Sequence, residues 1–160
     1  MGEQRGFMRY LTLPYLTLGL FVAVLAAGAA EAADDPANVI AYRQKVMSGM
    51  ASHIGAIAAV LKGEVSYAGH IAGHARAMQA ASTMLPDIFP PGSGVGETRA
   101  KPEIWQNWTK FETGIKALQS ALARLVEAAE SGDMGAIGAA LGGVGDGCGG
   151  CHKPFRKPKD

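Results

Sequence analysis

Apolar residues recur at helical spacing in four stretches of the chain after residue 33, where no alternating strand pattern of useful length occurs. Steps of three and four residues place side chains on one stripe of an α-helix. The third stretch shows such steps throughout, at Ile104, Trp108, Phe111, Ile115, Leu118, Leu122 and Leu125. The pattern predicts an all-α fold whose third helix has Pro102 in its first turn.

Two helices are predicted before this one. The first covers residues 36 to 61, with Asp34 or Asp35 as its N-cap and Gly63 as its stop. The second covers about residues 66 to 84, where many alanines favour a helix without fixing which side faces the core.

The fourth stretch, from Asp133 to about Lys153, has both cysteines of the chain on its apolar stripe: Met134, Ile137, Leu141, Val144, Cys148, Cys151 and Phe155. Six glycines lie between Gly135 and Gly147. Each glycine costs about 1 kcal/mol relative to alanine inside a helix. Something besides local propensity must therefore stabilise this helix.

The connections between the four helices predict their arrangement. Residues 85 to 100 hold too many prolines and glycines for a regular element, so they form the one long connection. The first and second helices, and the third and fourth, are joined by short links. These lengths predict an antiparallel four-helix bundle with one longer crossover loop.

Residues 1–33 are typical of a signal peptide, which makes residues 34–160 the mature domain. Arg5 and Arg9 precede an apolar stretch that ends in small residues, and cleavage is expected after Ala30, Ala32 or Ala33. A retained membrane anchor is the alternative. It is disfavoured because polar residues and a proline interrupt a run that only approaches a spanning length. We expect export and no membrane attachment after cleavage.

The charge of the chain argues against a nucleic-acid partner. Fifteen lysines and arginines against fourteen aspartates and glutamates give a net charge of +1. A protein that binds nucleic acid by displacing counterions needs a larger basic field.

The sequence Cys148-Gly-Gly-Cys151-His152 is a Cys-x-x-Cys-His motif, which is typical of c-type haem attachment. Two thiols one helical turn apart can each form a thioether with a haem vinyl group, and the adjacent histidine then supplies an axial ligand. The alternative is a haem-free helical module for thiol redox chemistry or for protein interaction. A redox pair usually lies at a helix N-terminus, whereas this pair closes a helix.

Several segments together resemble the cytochrome c prime family, the class II cytochromes c. They are Tyr42-Arg43-Gln44, Met50-Ala-Ser-His53-Ile-Gly55, Lys101-Pro-Glu-Ile-Trp105 and Cys148 to Arg156. The resemblance implies a four-helix bundle with one covalent haem c, a periplasmic location and a homodimer formed through the first two helices. It also implies that Arg43 contacts a haem propionate and that Arg156 flanks the pocket on the side of His152.

Members of that family differ in what occupies the sixth position of the iron. Where the five-coordinate type has a blocking leucine or phenylalanine, this chain has Met47. By resemblance we expect Met47 to be the sixth ligand, as in the low-spin branch. Met50 lies about 60° around the helix and is a competitor. Alternatively, both methionines fill core space.

A His152/Met47 pair would leave no open position on the iron, so the expected function is electron transfer rather than enzyme catalysis. The alternative is a five-coordinate protein that binds nitric oxide or carbon monoxide. A basic tail of Lys153, Arg156, Lys157 and Lys159 would guide an acidic redox partner.

Two histidines of the second helix, His70 and His74, stand four residues apart, a spacing that can hold a metal ion. No third ligand is evident in the sequence. Solvent-facing histidines are therefore the expected outcome.

Overall fold

The computed structural model describes residues 34–158, and within them the secondary structure is helical apart from a single β-bridge between Ala100 and Arg156. The all-helical prediction is confirmed. The predicted signal peptide lies outside the described residues. The helices are α1 (Pro36–Leu61), α2 (Ile71–Thr83), α3 (Glu103–Gln106), α4 (Trp108–Ser131) and α5 (Met134–Phe155).

Helix α1 begins and ends where its sequence signals predict. The Asp35 carboxylate accepts a hydrogen bond of 2.8 Å from the Ala37 backbone N–H, and Pro36 occupies the first turn. The chain turns at Gly63, whose φ of 73° favours glycine. Along α1, Ile40, Arg43, Met50, Ile57 and Val60 are buried.

Helix α2 begins five residues later than its sequence predicts. Residues Ala68–His70 form a short 3-10 turn, and the α-helix starts at Ile71. The buried positions of α2 are Ile71, Ala75, Met78 and Ser82, which recur every three or four residues on its inner side. The many alanines of this segment do not by themselves indicate which side of the helix faces the core.

The predicted third helix is divided in two. Asn107 leaves the helical region with φ −130° and ψ 49°, which separates α3 from α4. Trp108, the first residue of α4 after the break, is 36% exposed instead of buried. The other residues of the predicted stripe are buried.

Helix α5 is capped at Asp133, whose carboxylate accepts hydrogen bonds from Gly135 N (2.8 Å) and Ala136 N (3.1 Å). Gly132, with a φ of 74°, lets the chain reverse between α4 and α5. Met134 is exposed, against the predicted stripe, because it lies in the first turn of the helix, at the end of the bundle.

The helices pack in the order of an antiparallel bundle. Helix α5 lies mainly along α4, α4 along α2 and α2 along α1, whereas α1 and α5 meet over a short stretch only. The common core draws on all the long helices and on Leu85, Ile88 and Phe89 of the crossover loop. Within residues 34–158, no helix has the length and apolar character needed to cross a bilayer.

Candidate haem site

The motif residues lie in the last two turns of α5. Cys148 and Cys151 are free thiols one turn apart, and both are half-buried, as is His152. Burial raises the pKa of the Cys148 thiol, and burial together with the neighbouring Cys148 raises the pKa of Cys151. Burial lowers the pKa of His152, and the positive charges of Arg156 and Arg99 lower it further. The imidazole is therefore neutral at neutral pH, the form that ligates iron.

The helix backbone between the two cysteines is open on the side of its two glycines. A Cβ built at Gly150 would meet no atom within 4 Å, and one at Gly149 would meet only Lys153 Cε at 3.9 Å. A covalently attached haem needs two thiols, a neutral imidazole and open space beside them. The motif provides all three. The residues present therefore fit the cofactor.

Gly114 of α4 lies directly against the motif. A Cβ at this position would lie 2.5 Å from Cys151 Sγ, which is closer than such atoms approach in proteins. Sequence reasoning missed Gly114. The available signal was a glycine inside the otherwise regular pattern of α4, where glycine is unfavourable without a packing reason.

The end of α5 is held by its own aromatic residue and backbone. The Phe155 ring packs edge-on against Phe111 of α4, with ring centroids 5.3 Å apart. Lys101 N donates to Phe155 O (3.0 Å) and Lys157 N donates to Arg99 O (2.8 Å). The motif is thus fixed both to α4 and to the end of the crossover loop.

Arg43 is buried beneath the crossover loop, with 4% of its surface exposed. Its Nη1 donates to Ile88 O (3.2 Å) and Ser93 Oγ (3.0 Å), and its Nη2 donates to Ser93 O (2.9 Å) and Thr98 Oγ1 (3.0 Å). The guanidinium also lies 4.6 Å from the centroid of the Phe89 ring. Arg43 therefore holds the loop in place, a role that its position in the sequence did not indicate.

These four bonds occupy every N–H of the two terminal nitrogens of Arg43. Only the Nε–H is then left for a haem propionate, unless the loop bonds rearrange. The propionate contact stays a prediction.

The other predicted residues lie on separate elements. Arg156 is exposed at the C-cap of α5, near enough to His152 to affect its pKa. Met47 of α1 is half-buried and packs against the core, and Met50 is buried at 6% exposure. Both methionines thus contribute apolar packing to the bundle.

Comparison with known proteins decides the family. The family model described as Cytochrome C' matches residues 38–156, nearly the whole described domain. The chain belongs to the cytochrome c prime family. One covalently attached haem c, as predicted from the motif, is confirmed as the cofactor of this family.

Relatives in this family match the chain over most of its length. A cytochrome c prime of Rhodospirillum rubrum is 39% identical over 125 residues, which cover 78% of this chain and 85% of the relative. One from Alcaligenes xylosoxydans xylosoxydans is 35% identical and is covered to 97% of its length, again against 78% of this chain.

Solved structures of cytochrome c prime match with similar coverage. A leucine-to-alanine variant from Alcaligenes xylosoxidans, in complex with nitric oxide, gives a TM-score of 0.73 at 34% identity, covering 79% of this chain and 99% of the other. A leucine-to-glycine variant with carbon monoxide bound gives a TM-score of 0.72 at 34% identity, with coverages of 78% and 98%.

These relatives overturn the predicted six-coordinate electron carrier with Met47 as its sixth ligand. Relatives named cytochrome c prime, and structures of that protein with nitric oxide or carbon monoxide bound, fit the five-coordinate alternative instead. A coordinated methionine would close the position that these gases occupy. The prediction failed because a thioether in a helix serves equally well as a metal ligand and as an apolar side chain in a core.

Proposed function

We propose that the protein is a five-coordinate haem protein that binds nitric oxide or carbon monoxide. The observation that supports this most directly is the Cys148, Cys151 and His152 set at the end of α5, in a chain 34% identical to a cytochrome c prime with nitric oxide bound. When attached there, the haem supplies an iron with one coordination position open to a diatomic gas.

The residues of the chain take distinct roles in this proposal. Cys148 and Cys151 fix the haem through thioether bonds, and His152 provides the single protein ligand. Met47, packed against the core from α1, acts as an apolar side chain that limits the space for a gas molecule. Arg43 keeps the crossover loop against the bundle through its four hydrogen bonds.

Absorption spectra of the ferric and ferrous protein, recorded with and without carbon monoxide, test the proposal. We expect high-spin spectra and a ferrous spectrum that changes when the gas is added. A low-spin spectrum that carbon monoxide leaves unchanged would overturn it.

Met47→Ala is expected to increase the rate of carbon monoxide association, while the control Met50→Leu leaves that rate unchanged.

Export to the periplasm is part of the proposal, since c-type haem is attached outside the bacterial cytoplasm. The positively charged start and apolar stretch of residues 1–33 support it. N-terminal sequencing of the haem protein from a periplasmic fraction is expected to begin after Ala30, Ala32 or Ala33. An unprocessed chain in the membrane fraction would contradict export.

Two partner predictions accompany this function. Association of two chains through α1 and α2 would appear as a dimer in sedimentation velocity.

An acidic redox partner is supported by the exposed Lys153, Arg156 and Lys157; Lys159 lies outside the described residues. Electron exchange with such a partner is expected to slow as ionic strength rises.

A further inference from the structure

A pair of histidines joins α1 to α2, whereas the haem motif lies on α5. His53 Nδ1 and His74 Nδ1 lie 2.9 Å apart, with ring centroids separated by 5.1 Å and planes inclined by 49°. The two nitrogens face each other at hydrogen-bond distance, so the N–H of one donates to the lone pair of the other. Both side chains are half-buried, so His74 does not face solvent freely as its sequence predicted.

This hydrogen bond depends on how many protons the two rings hold. When both rings are neutral, one Nδ1 carries a hydrogen and the other carries a lone pair. When one ring is protonated, its Nδ1–H still donates to the lone pair of the neutral ring. When both rings are protonated, each Nδ1 carries a hydrogen, so two donors and two positive charges face each other. Only this last state breaks the contact.

The two helices that carry the pair have no acidic side chain to offset the added charge. Helix α4, which packs along α2, carries Glu127 and Glu130 in its last two turns, but both are exposed and Glu130 bonds to Arg76 at 2.7 Å. Helix α5 meets α1 over a short stretch only, and its one carboxylate, Asp146, is exposed. Among residues 34–158, neither histidine of the pair forms an ion pair with a carboxylate.

The charges that act on the pair are positive and oppose its second protonation. Burial lowers the pKa of His74, and the charges of His53 and His70 lower it further. His70 lies one turn before His74, is exposed and stacks on Tyr67, with ring centroids 5.1 Å apart. The second proton is therefore taken up only below pH 6.5 or so, where a free histidine is half-protonated at about that value.

We propose that His53 and His74 form a pH-sensitive switch, which holds α1 against α2 while at most one ring is protonated and releases this contact when both are. The unfolded chain binds the proton of His74 at about pH 6.5, whereas the folded chain binds it only at lower pH. The contact therefore stabilises the fold fully above that pH and loses its contribution as the pH falls. The switch uses no residue of the proposed haem site.

An NMR titration of the His53 and His74 rings in the haem-loaded protein tests whether the two titrate together. We expect His74 to titrate at least about one pH unit below the free value of about 6.5, a tenfold weaker affinity for the proton. In His53→Asn, the side-chain amide still bonds to His74 but takes up no proton, so the pKa of His74 is expected to rise. His70→Asn is the matched control and is expected to raise it less.

Two results of this titration would overturn the proposal. One is titration of both rings of the wild type near the free value. The other is an identical titration of His74 in the wild type and in His53→Asn, which would show that His53 does not affect it. The wild-type titration alone is decisive if a variant does not fold.

Hydrogen exchange measures whether protonation separates the two helices. Between about pH 7 and about pH 4.5, and after correction for the intrinsic exchange rates, the protection of residues 50–57 and 71–78 is expected to fall at least about tenfold more than that of residues 111–125. In a His53→Asn/His74→Asn variant neither side chain titrates, so both regions are expected to change alike. An equal fall in the wild type and in this variant would contradict the switch. Circular dichroism of the variant confirms that it is folded.

Discussion

Helices α4 and α5 are neighbours of nearly equal length, 24 and 22 residues, yet they are stabilised in different ways. Helix α4 buries six side chains on one stripe, whereas α5 buries only Ile137, Val144 and Phe155. Helix α5 also holds many glycines, which weaken a helix by themselves. The comparison shows that α4 contributes a full stripe to the core, whereas α5 buries little of its own surface. We expect the haem to cover part of the rest.

The glycines of this helix pair are of two kinds. A Cβ at Gly147 would lie 3.2 Å from the backbone Cα of Leu118, so this glycine lets α5 approach α4 closely. A Cβ at Gly138 or Gly145 would meet nothing within 4 Å. Only the first kind is required by the packing of residues 34–158.

The largest expected effect comes from removing the haem. In a Cys148→Ser/Cys151→Ser variant no thioether can form, so α5 loses the apolar group that complements its short buried stripe. Hydrogen exchange measures the effect. The backbone amides of residues 140–153 are expected to exchange far faster in this variant than in the haem-loaded protein, and the exchange rates of residues 111–125 are expected to change less. Equal loss of protection in α4 and α5 would show that both depend on the haem alike.

A matched pair of core truncations sharpens the comparison. Leu122 of α4 is fully buried, and Leu141 of α5 is half-buried. Leu122→Ala is expected to lower the free energy of unfolding by about 2–5 kcal/mol, and Leu141→Ala by less than half as much. Urea denaturation of the haem-loaded variants measures both. A similar cost at the two sites would mean that Leu141 is as well covered as Leu122.

The contact between α4 and the haem motif is tested at Gly114. Gly114→Ala places a methyl group against Cys151 Sγ and is expected to destabilise the haem-loaded protein by about 1–3 kcal/mol, as overpacking does. The effect should be smaller in the haem-free protein, where the Cys151 side chain can rotate away. Gly73→Ala in α2 is the control, because its Cβ would meet no atom within 4 Å. Equal effects with and without haem would contradict this account.

Local patterns predicted the elements and the haem motif, but not the contacts between elements. Cys148, Cys151 and His152 are adjacent in sequence, so their chemistry can be read from spacing alone. Arg43 could not be assigned to the crossover loop, because a proline- and glycine-rich loop has no period from which its path follows. The Asn107 break was equally invisible, since the apolar steps continue across it.

Two other outcomes depended on information that no single helix contains. His53 of α1 and His74 of α2 are both half-buried, and their Nδ1 atoms lie 2.9 Å apart. This contact depends on the relative rotation of α1 and α2, which the alanines of α2 do not specify. The role of Met47 depends on whether its sulfur coordinates or only packs, and both uses need the same helical position. Comparison with relatives, rather than periodicity, decided the second question.

The smallest expected effects distinguish the two kinds of glycine in α5. Gly147→Ala is expected to destabilise the protein by about 1 kcal/mol or more, because the backbone of Leu118 cannot yield as a side chain end can. Gly138 is exposed, and a Cβ at this position would meet no atom within 4 Å. Gly138→Ala is therefore expected to stabilise the helix by about 0.5–1 kcal/mol. Thermal denaturation of the haem-loaded variants gives both signs. Destabilisation by Gly138→Ala would mean that α5 needs glycine at this position for a contact that residues 34–158 do not make in one chain, such as one with a second copy.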